Sequence, residues 1–396
     1  VSFKFRVRKF MKLFKSLLVA PATLGLLAPM AATANEVTIS DFTPAEQLAI
    51  TNSRVDGLEA RMNNMEAGSF SETTTASFGL DFYLGSTDDE EATAVADDAL
   101  TFGYSLGIGL NTSFTGEDSL DITLDAGNVT EGVSEFDGNT TGDTLIVDGI
   151  SYTFPVGDAT VFVGDSTDGS LLFTTACAYG GPGALLDDCG NVNAGITGGE
   201  ATVGASYDFG NGFTAATGFQ TSSTTAGVFT DESQDAYALN AAYTADVYGV
   251  SITYGVVENA GLTNENKYTA FNAYYTPDME GFPSISVGYE LGDIGGAAAV
   301  SDEQTSGFVG LTWDEIGPGS AGLAAGYSNA LEDTDEAYQY EAYYSYPIND
   351  GMTITPLIFT RDNTTSGLDD TTGVMVKTSF LSLIHIYEPT RPIRIA

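Results

Sequence analysis

From Gly68 almost to its end, this chain alternates large apolar residues with small or polar ones in steps of two. A period of two is the repeat of a β-strand, whose successive side chains point to opposite faces. Over 102–114, Phe102, Tyr104, Leu106, Ile108, Leu110, Thr112 and Phe114 share one face, and Gly103, Ser105, Gly107, Gly109, Asn111 and Ser113 the other. Over 248–256, Tyr248, Val250, Ile252, Tyr254 and Val256 face away from Gly249, Ser251, Thr253 and Gly255. The segments 285–291 and 338–346 follow the same rule. The chain is therefore expected to be all-β, with long strands that each carry one apolar face.

The next question is what that apolar face meets. In a soluble sandwich it meets a core; in a transmembrane barrel it meets lipid, and the polar face lines water. Three features favour the barrel. The strands are long enough to cross a bilayer when tilted. Their polar face is rich in glycine and serine, which reads as an open lumen. Tyrosine and phenylalanine gather near strand ends, as an interfacial girdle does. Sixteen strands are expected, near 73–84, 101–114, 118–125, 144–154, 158–164, 199–208, 212–221, 235–244, 247–257, 267–276, 282–291, 304–314, 319–328, 335–346, 351–361 and 370–380. Between them long connections alternate with tight turns, and the longest covers 165–198. Long loops on one side and short turns on the other is the pattern of a bacterial barrel.

The ends read differently. Met11 opens a secretory signal, with Lys12 and Lys15 as its charged region, Leu17 to Ala28 as its apolar stretch and Ala32-Thr33-Ala34 as a small-residue cleavage pattern. Residues 1–10 read as upstream translation, 11–34 as the signal, 35–68 as a periplasmic linker with a helix, 69–380 as the barrel, and 381–396 as a translated adapter artefact. The helix follows a capping box at Thr43-Pro44-Ala45-Glu46. Leu48, Thr51, Val55, Leu58, Met62 and Met65 fall at heptad spacing, which suits a short coiled coil; the rival is a lone helix on a domain edge.

Composition then excludes several functions. The chain holds 54 acidic residues against 13 Lys and Arg, so it is no nucleic-acid binder, because phosphates require cations. It has two cysteines and one histidine, His385, which lies in the tail read as artefact. That set cannot build a zinc cluster, gives no sign of a cofactor, and disfavours catalysis by a Ser/His/Asp scheme.

Four stretches resemble a known family. Val55-Asp-Gly-Leu-Glu-Ala-Arg61 resembles a pre-barrel coiled coil. Asn111-Thr-Ser-Phe-Thr-Gly-Glu-Asp118 with Asp125-Ala-Gly-Asn128 resembles an early hairpin, and Phe154-Pro-Val-Gly-Asp158 the next turn. Tyr346-Pro-Ile-Asn-Asp-Gly-Met352 with Thr355-Pro356 resembles the penultimate hairpin. Together they resemble the cyanobacterial OprB-like outer-membrane porins, which are carbohydrate-selective and in part described as iron-uptake porins. The resemblance implies an outer-membrane location, a homotrimer, and passage of sugars or iron. Such porins usually carry an S-layer-homology domain before the coiled coil, and only about twenty residues separate Asn35 from Val55. That domain is thus expected to be missing.

A barrel of about sixteen strands encloses a water-filled channel, so function reduces to what narrows it and what charge lines it. The long segment 165–198 is expected to fold inward as the constriction. Cys177 and Cys189 within it are expected to pair, as two cysteines of a secreted protein do. Asp187 and Asp188 stand beside the second cysteine. Residues 69–380 hold 47 acids and three cations, Lys267, Arg361 and Lys377. By strand parity Arg361, Lys377, Asp81, Glu290 and Glu341 face inward, and the acidic balance predicts a preference for cations. Tyr343 and Phe359 are inward aromatics by the same parity. Phe380 ends the lipid face of the last strand as a signal for the barrel-assembly machinery. The expected function is passive diffusion of small hydrophilic solutes and ions; the rivals are a structural barrel with a plugged lumen, a membrane hydrolase and a secreted adhesin.

Overall fold

The structure is a computed structural model, in which residues 74–88, 99–184, 186–222, 227–230, 232–258, 264–295, 303–332, 336–363 and 369–383 are described. The signal segment, the heptad residues Leu48, Thr51, Val55, Leu58, Met62 and Met65, and the tail from residue 384 lie outside them. The barrel opens with β1 (Thr74–Asp88), β2 (Thr101–Thr112), β3 (Ser119–Gly127) and β4 (Ile146–Val156). It continues through β5 (Ala159–Asp165), β6 (Ala201–Gly210), β7 (Phe213–Thr221) and β8 (Asp235–Thr244). Then come β9 (Tyr248–Glu258), β10 (Glu265–Tyr275), β11 (Ser284–Asp293) and β12 (Glu303–Ile316). β13 (Gly319–Leu331), β14 (Gln339–Asn349), β15 (Met352–Arg361) and β16 (Thr371–Leu383) complete it.

Each strand pairs antiparallel with its neighbours in sequence, and β16 returns to pair with β1, from Asp88↔Thr372 to Ser77↔Leu383. Closure removes both sheet edges, which is what lets a sheet stand in hydrocarbon. This closing ladder draws both strands past the limits expected from alternation: β1 reaches Asp88 and β16 runs three residues beyond Phe380. Tight connections such as Gly157-Asp158 and Asn211-Gly212 lie at one end, and the longest connections, 128–145 and 166–200, at the other. At two of the tight ends the chain turns through positive φ, at Gly157 (65°) and Asn211 (53°). In the β2–β3 turn, Asp118 Oδ1 accepts from Phe114 N (3.0 Å) and Thr115 N (2.7 Å), and Oδ2 accepts from Tyr152 Oη (2.6 Å). Those bonds hold the Asp118 carboxyl well below the usual carboxylate range.

The apolar face points outward. Val250, Ile252, Val287, Leu291, Val309, Leu323 and Ile358 are exposed, whereas Ser251, Thr253, Ser286 and Glu290 on the alternate face are buried. Left in water, each such half-exposed apolar side chain forgoes roughly 1 kcal/mol of burial. Such a band is the face that a transmembrane barrel turns to hydrocarbon. Aromatic pairs mark both rims of the band: Tyr207–Phe209 (4.8 Å) and Phe213–Tyr243 (4.5 Å) at the turn end, Phe82–Phe102 (5.7 Å) and Phe219–Phe229 (4.7 Å) at the loop end. Phe380 points outward, edge-on to Phe82 at 6.1 Å.

Candidate pore constriction

The third long connection, residues 166–200 (loop 3), enters the barrel and lies along the inner wall. Its neck is closed by the Thr167↔Gly199 bridge and by Gln220 of β7, whose side chain accepts from Gly169 N (3.0 Å) and donates to Thr197 O (2.6 Å). The outgoing leg is extended, so alternate backbone N–H groups face the wall. Thr174 N donates to Asn240 Oδ1 (3.0 Å), Ala176 N to Ser251 Oγ (2.9 Å) and Ala178 N to Ser286 Oγ (2.8 Å). These acceptors sit on β8, β9 and β11, so the leg crosses the strands. On the return leg, Asn272 Nδ2 donates to Cys189 O (2.8 Å). Glu290, only 2% exposed, accepts from Asn193 N and Ala194 N (both 2.8 Å) and from Asn193 Nδ2 (2.7 Å).

This overturns one sequence inference. Glycine and serine on the inner face of β7 to β12 do not leave an open lumen; they seat the loop. A Cβ at Gly255 would stand 2.7 Å from Ala194 O, and one at Gly288 would overlap Cys189 O. Serine and asparagine there take the place of water for a backbone that would otherwise be buried unpaired. Parity tells which face a residue is on, but not what covers it.

Cys177 and Cys189 are joined in a disulfide that ties the two legs, with Cα atoms 6.4 Å apart. Beyond it the tip reaches the opposite wall. Tyr179 Oη donates to Glu341 Oε1 on β14, and Gly181 and Gly183 lie so close that a Cβ on either would overlap the Glu341 carboxylate. The second long connection (128–145, loop 2) also turns inward. Its one 3-10 turn, Glu131–Phe136, places Val133 and Phe136 against Tyr83 and Met375. Loops 2 and 3 meet where Ala184 N donates to Glu135 O (2.8 Å). The result is a buried apolar cluster inside the barrel, built from Tyr83, Val133, Phe136, Tyr179, Phe308, Tyr343, Leu357, Phe359 and Met375. The sequence reading missed loop 2. Its signal was Val129, Val133 and Phe136 at helical spacing within a loop.

The inward expectation by parity agrees with the register. Gln339↔Arg361, Glu341↔Phe359 and Thr355↔Lys377 share the inner face, as do Tyr83↔Lys377 and Asp81↔Ser379. Lys377 Nζ lies 5.9 Å over the Phe136 ring. Lys267, the third cation of the barrel region, sits on the outer face, paired with Glu265 at 2.9 Å. Asp187 and Asp188 reach water inside the barrel, yet protein encloses them and Asp137 stands near. Burial raises both carboxyls, Asp188 to about 7 with help from Asp187. Glu135 of loop 2 is pushed up to about 7 chiefly by burial, and the hydrogen bond from Gln339 opposes that shift. The structure thus brings Glu135, Glu341 and Asp187 together around the loop 2–loop 3 junction, and leaves Asp81 and Lys377 on the adjoining wall.

No family model matches the chain. An uncharacterized protein of Nostoc sp. is 25% identical over 440 residues, covering 92% of this chain and 74% of that protein. Among solved structures, OprB of Pseudomonas putida superposes with a TM-score of 0.54 at 11% identity, over 83% of this chain and 97% of that one. An OmpT variant of Vibrio cholerae gives 0.55 at 13% identity, and a variant of the Rh. blastica porin 0.52 at 12%, each over 78% of this chain and 100% of the other. At such identities what is shared is the fold, and that fold is a porin-like barrel.

Proposed function

We propose that the protein is an outer-membrane porin for passive diffusion of small hydrophilic solutes and ions, and not an enzyme. The observation that carries this reading is the inward-seated loop 3 inside a wall whose outer face is apolar apart from isolated polar positions such as the Lys267–Glu265 pair. In this reading hydrocarbon surrounds the barrel, and loop 3 is the fixed element that narrows its lumen. The acidic interior favours cations over anions. The likeness of Val55–Arg61 and the barrel turns to cyanobacterial OprB-like porins supports sugars or iron as cargo and a homotrimer in the membrane, delivered by the barrel-assembly machinery through Phe380. The disulfide Cys177–Cys189, with Asp187 and Asp188 beside it, would then frame the constriction, and Arg361 and Lys377 would oppose its acids.

The apolar cluster around Tyr343, Leu357 and Phe359 favours a second reading, a structural barrel with a plugged lumen. Planar-bilayer conductance of the full chain under a salt gradient separates the two. Discrete steps with a cation-directed reversal potential support the porin. A folded barrel that passes no current refutes it and leaves the plugged barrel.

A further inference from the structure

Resting on the porin reading, we infer that the passage runs off the barrel axis, down the inner wall of β1 to β3, and that Asp125 and Asp121 set its ion preference together with Asp81. Two halves of the inner wall differ. Under loop 3, the inward residues Ala238, Asn240, Ser251, Ala270, Asn272 and Ser286 are all buried. On β1 to β3 the loop-side inward positions Tyr83, Gly85 and Gly127 are covered by loop 2 and β16, whereas those nearer the turns, Gly79 and Gly107, are small and meet little. A Cβ built on Gly79 has no heavy atom within 4 Å, and one on Gly107 meets only Asp125 Oδ1 at 3.4 Å.

The register makes these positions one continuous surface. Gly79 pairs with Gly107, which pairs with Asp125; one row towards the loops, Asp81 pairs with Ser105. Two rows towards the turns from Asp125, Asn111 pairs with Asp121. Two strand residues span about 7 Å, so the three carboxylates stand at successive depths along a glycine-floored groove. Asp121 is held in place, accepting from Asn111 Nδ2 (2.5 Å) and Ser119 Oγ (2.6 Å). The loop 2 backbone covers the top of this wall, where Asn139 N donates to Ser105 Oγ (3.1 Å). Below that cover, the space beside Gly79 is open. Carboxylates ranked along a narrow path between low-dielectric walls attract a cation at each step and repel anions throughout. The one cation on the flanking strand at this height is Lys377, which faces Tyr83 and lies over Phe136.

Thiol chemistry tests the path directly. The chain has two cysteines and they are joined to each other, so one introduced cysteine is the only free thiol. Gly79→Cys in the full chain is expected to react with a charged, water-soluble methanethiosulfonate, and its single-channel conductance to fall by about twofold or more. Ala238→Cys, beneath loop 3, is expected to stay unmodified. Asp125→Asn needs no labelling, and is expected to lower the cation-to-anion permeability ratio by about threefold. A conducting wild type in which Gly79→Cys goes unlabelled, or is labelled with no loss of current, overturns the off-axis path alone. So does a permeability ratio unmoved by Asp125→Asn. A folded wild type without any current refutes the porin reading itself.

Discussion

Replacing Glu290 by glutamine tests how loop 3 is held. The carboxylate receives three hydrogen bonds: Oε2 takes the N–H groups of Asn193 and Ala194, and Oε1 takes the side-chain amide of Asn193. Glutamine keeps one oxygen, which can still serve the two backbone donors. Its other terminus becomes an NH2 group aimed at the Asn193 amide, itself a donor that also bonds Asn329 Oδ1 (2.8 Å). One charge-assisted bond is lost, worth about 2 kcal/mol, and two more fall from charged to neutral strength, together about 1 kcal/mol. Glu290 is nearly fully buried, so water offsets little of this. The sum, about 3 kcal/mol, corresponds to a roughly hundredfold rise in the local opening equilibrium. Hydrogen exchange at Asn193 and Ala194 is the assay, read against amides in β9 and β10 that the change does not touch. Exchange within a factor of about three of the wild type would refute the idea that Glu290 holds the return leg.

Reducing the Cys177–Cys189 bond removes a constraint on a loop of sequence separation 12, worth about 3 kcal/mol by chain entropy. Exchange in 174–193 should rise with reductant while the urea midpoint of the barrel stays in place. Gly288→Ala should unseat the loop, because its methyl would overlap Cys189 O, whereas Gly79→Ala should leave folding unchanged; heat-modifiable electrophoretic migration of the two variants checks the contrast. The junction of loops 2 and 3 should loosen as pH rises. Glu135 is raised from 4.5 to about 7 in the folded protein, so the folded state holds more protons over that interval and its advantage shrinks as pH climbs through it. Protease cleavage within 131–137 should therefore increase between pH 4.5 and 7, and Glu135→Gln should flatten the profile.

The barrel was legible because a sheet with one apolar and one polar face writes itself as strict alternation. Tyr248 to Val256 and Ile285 to Leu291 needed nothing beyond parity, and the long-short rhythm of connections gave sixteen strands and their up-and-down order. The inward position of loop 3 and the pairing of its cysteines were also within reach. What parity could not supply is the occupant of the inner face. Ser251 and Ser286 read as lining water, yet each accepts a hydrogen bond from a loop residue 75 or 108 positions away in the chain. Such contacts join an extended loop to one residue from each of several strands, and no local repeat records them. Loop 2 escaped for a related reason. Val133 and Phe136 are apolar residues in a segment without strand periodicity, and their partners Tyr83 and Met375 lie on the two strands that close the barrel.

The partners of loop 3 have a consequence for the order of events during assembly. Asn240, Ser251, Asn272, Ser286, Glu290 and Glu341 all follow the loop in the chain. None of those bonds can exist until the strands bearing them are in place. A nascent barrel that has laid down its first six strands must therefore keep the loop wet, its amides hydrated. Dehydration of that segment waits on β14, so the interior takes its final shape only as the cylinder nears completion.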